Sequence, residues 1–178
     1  MPMKTNHILT TAIEIAVDLF EDTSPQEPIK FCATNLGLDW IIVAGANGNG
    51  HVAIQSWDGD DVRSQSISEV ECRNMRDWAA GEKIFYGKSD RAPFPVRFVS
   101  AVAGDSMLLV PEYRTFNIWG AIGFGGQQRW TKDETEAMAG LGRLLLSVVR
   151  HQDAEDIIRK QVRESAGKIR QTFALVPA

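Results

Sequence analysis

Apolar positions change their spacing four times along the chain, and each change marks a different kind of element. From Ile8 to Phe20, the residues Ile8, Leu9, Ala12, Ile13, Ala16, Leu19 and Phe20 recur three and four apart, which predicts an amphipathic helix capped by Thr5 or Asn6. Glu21-Asp22-Thr23-Ser24-Pro25 breaks it. A second, shorter helix carries Ile29, Cys32, Ala33 and Leu36 on one face, and Gly37 is placed to end it. Its start is open: Ser24 and Glu27 have capping-box spacing, whereas Pro28 suits the first helical position.

The period then shortens. Trp40 to Ala44 and His51 to Trp57 are apolar, β-rich runs joined by Gly45-Ala46-Asn47-Gly48-Asn49-Gly50, whose glycines and asparagines suit a hairpin. Asp58-Gly59-Asp60-Asp61 is a further turn. A third helix is expected over Ser68 to Ala80, capped by Ser68 with Glu71 or by Ser66 with Glu69, and closed by Gly81. Strands are expected at Lys83 to Tyr86, Ser106 to Val110 and Asn117 to Phe124. Between the first two lies a long connection, Gly87 to Asp105, and a loop of that length is usually functional or holds an element of its own.

Helical spacing returns at Thr131, which forms a capping box with Glu134 ahead of Met138, Leu141, Leu145, Val148 and Val149. Beyond His151 the chain is highly charged yet free of proline until Pro177. Val148, Glu155, Ile158, Val162, Ser165 and Ile169 keep a loose heptad spacing there, a seam too thin to be buried alone, so it calls for another helix or a second subunit. The order of elements describes an α+β domain around a central antiparallel sheet. The first and last helices are expected on one face, and the third helix with the long loop on the other.

Composition narrows this picture only a little. A chain of 178 residues, 44% apolar and 24% charged, is an ordinary folded domain. Its net charge of −4 argues against nucleic acid as a bulk electrostatic partner. Cys32 and Cys72 give no disulfide framework and too few thiolates for a structural zinc site, which points to a reducing compartment. The opening Met1-Pro2-Met3-Lys4 leads into no secretory core, and no apolar run approaches a membrane span. The expectation is a soluble, cytoplasmic protein.

Four segments resemble a GAF domain. Leu108-Leu109-Val110-Pro111 looks like the family's strand ending in proline, and Trp119-Gly120-Ala121-Ile122-Gly123-Phe124 resembles the strand that follows. Arg129-Trp130-Thr131-Lys132-Asp133-Glu134-Thr135 is similar to the entry into its final helix. Trp78-Ala79-Ala80-Gly81-Glu82-Lys83-Ile84 resembles its helix-to-strand junction. The resemblance spans roughly residues 27 to 150. It implies a bacterial sensory or regulatory module that binds a small molecule between the sheet and the elements over one face. It also implies a homodimer through terminal helices and an output domain or partner protein such as a kinase or transcription regulator. On this reading residues 1–25 are an N-terminal helix packing on the domain or on a dimer partner, 26–150 the GAF domain and 151–178 a charged signalling helix.

Departures from the specialised subtypes matter as much. Neither cysteine has an adjacent histidine and the Asp-Ile-Pro signature is missing, which argues against a covalent bilin. The Asn-Lys-Phe-Asp-Glu signature of cyclic-nucleotide binders is not recognisable. A thiol-dependent sulfoxide reductase of the same fold needs more cysteines near its pocket than this chain carries. No catalytic residue is assigned, and the cofactor stays unknown.

Other candidate chemistry is weaker still. Gly45 to Gly50 is followed by a strand, not by the helix N-terminus that a phosphate loop requires. In Asp58-Gly59-Asp60-Asp61 the glycine is misplaced for a calcium loop, so no metal is expected. His7, His51 and His151 are scattered and do not converge. Cys72, beside Arg73 near a helix start, sits where a thiol pKa can be lowered, although burial is the commoner state of a free cysteine.

The ligand pocket is assigned to Trp57, Trp78, Tyr86, Phe94, Met107 and Trp119, with Arg91 or Arg97 available to neutralise a carboxylate or phosphate. The competing reading is a pocketless dimerisation or docking module whose aromatics fill the interior.

Overall fold

The computed structural model describes residues 3–20, 28–48, 51–88, 106–126 and 129–174. Four helices and six strands alternate along it. They are α1 (Met3–Phe20), α2 (Pro28–Leu36), β1 (Trp40–Asn47), β2 (Val52–Trp57), β3 (Arg63–Ser64), α3 (Glu69–Ala80), β4 (Phe85–Lys88), β5 (Ser106–Thr115), β6 (Ile118–Gly126) and α4 (Lys132–Ala174). The strands form one antiparallel sheet in the order β3-β2-β1-β6-β5-β4. This is the expected α+β architecture.

The two central strands explain the layering. β1 and β6 are buried along nearly their whole length, because both sheet faces are covered. Alternation then sorts their side chains. Ile41, Val43, Ile122 and Phe124 join Leu108 and Val110 on a face packed by Ile8 and Ile15 of α1, Ile29 and Cys32 of α2, and Leu141, Leu145 and Val148 of α4. Trp40, Ile42, Ala44, Met107, Leu109, Trp119 and Ala121 face the other way, against Met75 and Ala79 of α3.

Two glycines let α4 approach the sheet. Gly45 and Gly120 are cross-strand partners on the α4 face. A Cβ on Gly45 would sit 2.5 Å from Leu146 Cδ1, and one on Gly120 would overlap Leu146 Cδ2. The absence of side chains on this pair creates the seat into which Leu146, fully buried, drops.

Differences from the sequence expectation have local causes. α1 starts at Met3, ahead of the expected caps. α2 begins at Pro28, and Ser24 and Glu27 lie outside the described residues. Of the two caps proposed for α3, Ser68 with Glu71 forms the capping box: Glu71 N–H donates to Ser68 Oγ at 3.2 Å and Ser68 N–H to Glu71 Oε2 at 3.0 Å. β4 starts at Phe85, later than expected, because the chain leaves α3 through Gly81 and a left-handed Glu82 at φ +53. β5 runs past Pro111 to Thr115; β4 ends its pairing at Leu109, so proline there interrupts no second ladder. The two-residue β3 has no counterpart in the sequence reading, since both its residues are exposed and carry no apolar alternation.

At the terminal helix the expected capping box is present, with Thr131 N–H donating to Glu134 Oε2 at 2.9 Å and Glu134 N–H to Thr131 Oγ1 at 3.2 Å. α4 then continues unbroken for 43 residues. No described helix is long and apolar enough to cross a membrane.

Candidate functional site

Uneven cover of the second sheet face leaves a hollow. α3 lies chiefly over β5 and β6. At the other edge β3 pairs with β2 only at Gln55 and Ser56, and the Gln65 N–H adds one bond to the Ile54 carbonyl at 3.0 Å. The first residues of β2 therefore border a cavity of about 830 Å³ between that strand, the segment Ser64–Glu69 and α3. This volume falls within the range of small-molecule sites.

Its walls have distinct chemistry. Val52, Ile54 and Ile67 supply an apolar floor that is continuous with the core around α3. Ser64, Gln65, Ser66 and Ser68 form a polar rim, although Ser68 is committed to the cap of α3 and Gln65 Nε2 donates to Ser56 Oγ at 3.2 Å. From α3 come Glu69, Cys72, Arg73 and Arg76. Phe116, at the turn between β5 and β6, closes one end, with the Arg76 guanidinium carbon 3.8 Å above its ring centroid. At the far side the wall includes His51, Gln55 and Asp156 of α4. Gln55 is tied to that helix, its Nε2 donating to Gln152 Oε1 at 3.3 Å.

The sequence-predicted pocket residues are distributed differently. Met107 and Trp119 are buried in the core against α3, with Trp78 packed on it. Trp57 faces the α1–α4 side and donates from its indole to the Asp60 carbonyl at 3.1 Å. Tyr86 is 45% exposed and meets Trp130 edge-to-face, 6.1 Å between centroids. Neither Trp57 nor Tyr86 reaches the α3 side, because the alternation of their strands points them away. Arg91, Phe94 and Arg97 lie outside the described residues. The cavity is instead bordered by short polar residues around β3 and by two arginines one turn apart on α3. The only sequence signal for them was the serine-rich stretch from Ser64 to Ser68, which reads as a helix cap.

A second polar feature joins α4 to the same hairpin that carries Phe116. Arg150, 14% exposed, donates from Nη2 to the Trp119 carbonyl at 2.7 Å and from Nη1 to Glu112 Oε2 at 3.2 Å. Arg114 Nε donates to the other Glu112 oxygen at 3.0 Å. Burial pulls the Arg150 pKa down, and the Glu112 carboxylate opposes that shift.

No protein-family model matches the sequence, and no curated protein matches it. Solved structures match by shape. The GAF domain of a phosphoenolpyruvate-protein phosphotransferase from Coxiella burnetii aligns at a TM-score of 0.53 and 10% identity, covering 86% of this chain and 98% of that one. The A. aeolicus nlh2 GAF domain in an inactive state aligns at 0.55 and 12%, covering 81% and 96%. The fold is that of a GAF domain. A free methionine-R-sulfoxide reductase from Neisseria meningitidis, solved in complex with its substrate, aligns at 0.51 and 11%, covering 85% of this chain and 89% of that one. At such identities the likeness speaks for the fold alone.

The thiols of this chain sit apart. Cys32 is fully buried among α1, α2 and α4, and burial pushes its pKa up to about 12. Cys72 borders the cavity on the opposite face of the sheet. Its pKa is also raised, chiefly by burial, with Arg76 pulling against that and Glu69 adding to it. The lowered thiol pKa entertained from the sequence is therefore not what this environment produces. With the sheet between them, the two sulfurs cannot form an intramolecular disulfide in the folded chain.

Proposed function

We propose that this GAF domain is a non-catalytic sensory or regulatory module that binds a small molecule in the cavity beside β2 and relays its occupancy through α4. The observation that carries the reading is the composition of the cavity wall. It draws on β2, α3, the β5–β6 turn and Asp156 of α4, so an occupant would touch the element that leaves the domain. Two ties support a relay from wall to helix: Gln55 to Gln152, and the β5–β6 hairpin to Arg150 through Glu112 and the Trp119 carbonyl. Ligand binding would favour one seating of α4 over another, which is all that a population shift requires.

Pairing of two copies through the terminal helices belongs to the same proposal. α1 exposes Leu9, Ile13 and Val17, spaced four apart, and the outer part of α4 exposes Ile158, Val162 and Ile169. Residues 151–178 would then carry the signal to an output domain or to a partner protein such as a kinase or transcription regulator.

Native mass spectrometry of the whole chain tests both parts. The expected result is a dimer that becomes monomeric in Ile158→Glu/Val162→Glu and carries or accepts a small-molecule mass. A monomer at high concentration, unchanged by that double substitution, would refute the pairing. A dimer whose cavity accepts nothing would favour a docking module, with the cavity left as solvent.

A further inference from the structure

We infer that the cavity's ligand is a small organic anion, a carboxylate or phosphate ester with an apolar body, whose charged group is held by Arg76 with Arg73 beside it. This rests on the cavity being the ligand site.

Arg76 is the best-positioned cation in the wall. Its side chain is 19% exposed, and its guanidinium carbon lies 3.8 Å over the centroid of the Phe116 ring. Stacking restrains a guanidinium without using its N–H donors, which is the arrangement suited to a planar, two-oxygen acceptor. The ion pair with Asp77 engages Nε at 3.6 Å, longer than a hydrogen bond, and Asp77 is itself 65% exposed. Arg73 lies three residues earlier, on the same face of α3 and in the same wall.

The two carboxylates that share the wall stand elsewhere. Glu69 is four residues ahead of Arg73, the spacing at which a helical carboxylate compensates that arginine rather than Arg76. Asp156 comes from α4, which packs on the opposite face of the sheet. Glu69 thus offsets Arg73 first, and Arg76 is the wall cation best placed to anchor an anion. Val52, Ile54 and Ile67 then set the rest of the ligand, because a floor without polar side chains favours an apolar body.

The test is calorimetric titration of the full chain with matched probes: benzoate against benzamide, and phenyl phosphate against phenol. At least one acid is expected to bind in the millimolar range or tighter, roughly tenfold or more above its neutral partner. Arg76→Met is expected to abolish that preference, bringing the acid down to the affinity of its neutral partner. Arg76→Lys, which keeps the charge and loses the planar fork, should retain part of it and guards against a folding defect. Equal binding of acid and neutral partner, a preference that survives Arg76→Met, or no binding by either acid would overturn the assignment. The cavity itself is checked separately with Ile67→Trp, which fills its floor. If acid and neutral partner bind equally and Ile67→Trp expels both, the anion class is wrong and the cavity remains a ligand site. If Ile67→Trp changes no binding at all, the site reading fails as well.

Discussion

Replacing Gly120 by alanine should unseat α4 from the sheet, and the cost can be worked from the contacts at that point. The new Cβ would overlap Leu146 Cδ2 and lie 3.1 Å from Cδ1, with Gly45 holding the same leucine from the neighbouring strand. Leu146 is fully buried, so it has no solvent to retreat into. Overpacking of this kind costs about 1–3 kcal/mol. Leu146→Ala alone empties the seat and costs about 2–5 kcal/mol. The two changes are complementary: the alanine methyl on Gly120 would occupy space that the shortened residue 146 vacates. The double variant should therefore be less destabilised than the sum of the singles by about 1–2 kcal/mol. Urea unfolding followed by tryptophan fluorescence at one fixed protein concentration reads this as shifts in midpoint at constant slope. Additivity to within about 0.5 kcal/mol would refute the claim that the glycine pair exists to receive Leu146.

Three further outcomes follow from the polar ties and the thiols. Arg150→Met should lower stability by about 2 kcal/mol, because charge-assisted hydrogen bonds are lost and Glu112 keeps only Arg114. Adding Glu112→Gln should recover part of that loss, and no recovery on urea unfolding would show that Glu112 is not what Arg150 compensates. For the cysteines, native protein at pH 8 should take one iodoacetamide adduct, on Cys72, and two after unfolding; rapid modification of Cys32 in the folded chain would contradict its burial. Because folding raises the Cys32 pKa from 9.0 to about 12, its contribution to stability is complete below the lower value and is lost as pH rises towards the upper one. Cys32→Ala should flatten the alkaline limb of the stability curve, and an unchanged limb would refute that assignment.

The parts of this molecule legible in the sequence are those where one strong local signal decides the outcome. The capping box of Thr131 and Glu134 and the continuous apolar, β-branched run of β1 fix their elements without help from distant residues. The GAF fold was readable from the glycine-spaced strand Trp119 to Phe124 and the helix entry after it. Where the cavity lies was not, for two reasons. Aromatic residues predict a cavity and a filled core equally well, and Met107 and Trp119 are buried in the core. Which face Trp57 and Tyr86 present depends on strand register, and a single residue of phase sends a side chain to the far side. The residues that border the cavity, such as Ser66, Arg73 and Arg76, are ordinary surface types whose meaning comes from where α3 sits across the sheet.

The unbroken length of α4 has a mechanical consequence. From Arg150 to Ala174 the helix runs on for a further 24 residues, about 36 Å at the usual rise. Arg150 grips the β5–β6 hairpin at the near end of that rod, close to where Asp156 reaches the cavity. The arrangement has the geometry of a lever with its fulcrum at the β5–β6 hairpin. A tilt of about 5° there carries the far end through about 3 Å, roughly half a helical turn. Movements too small to disturb the core become displacements of several ångström at the tip.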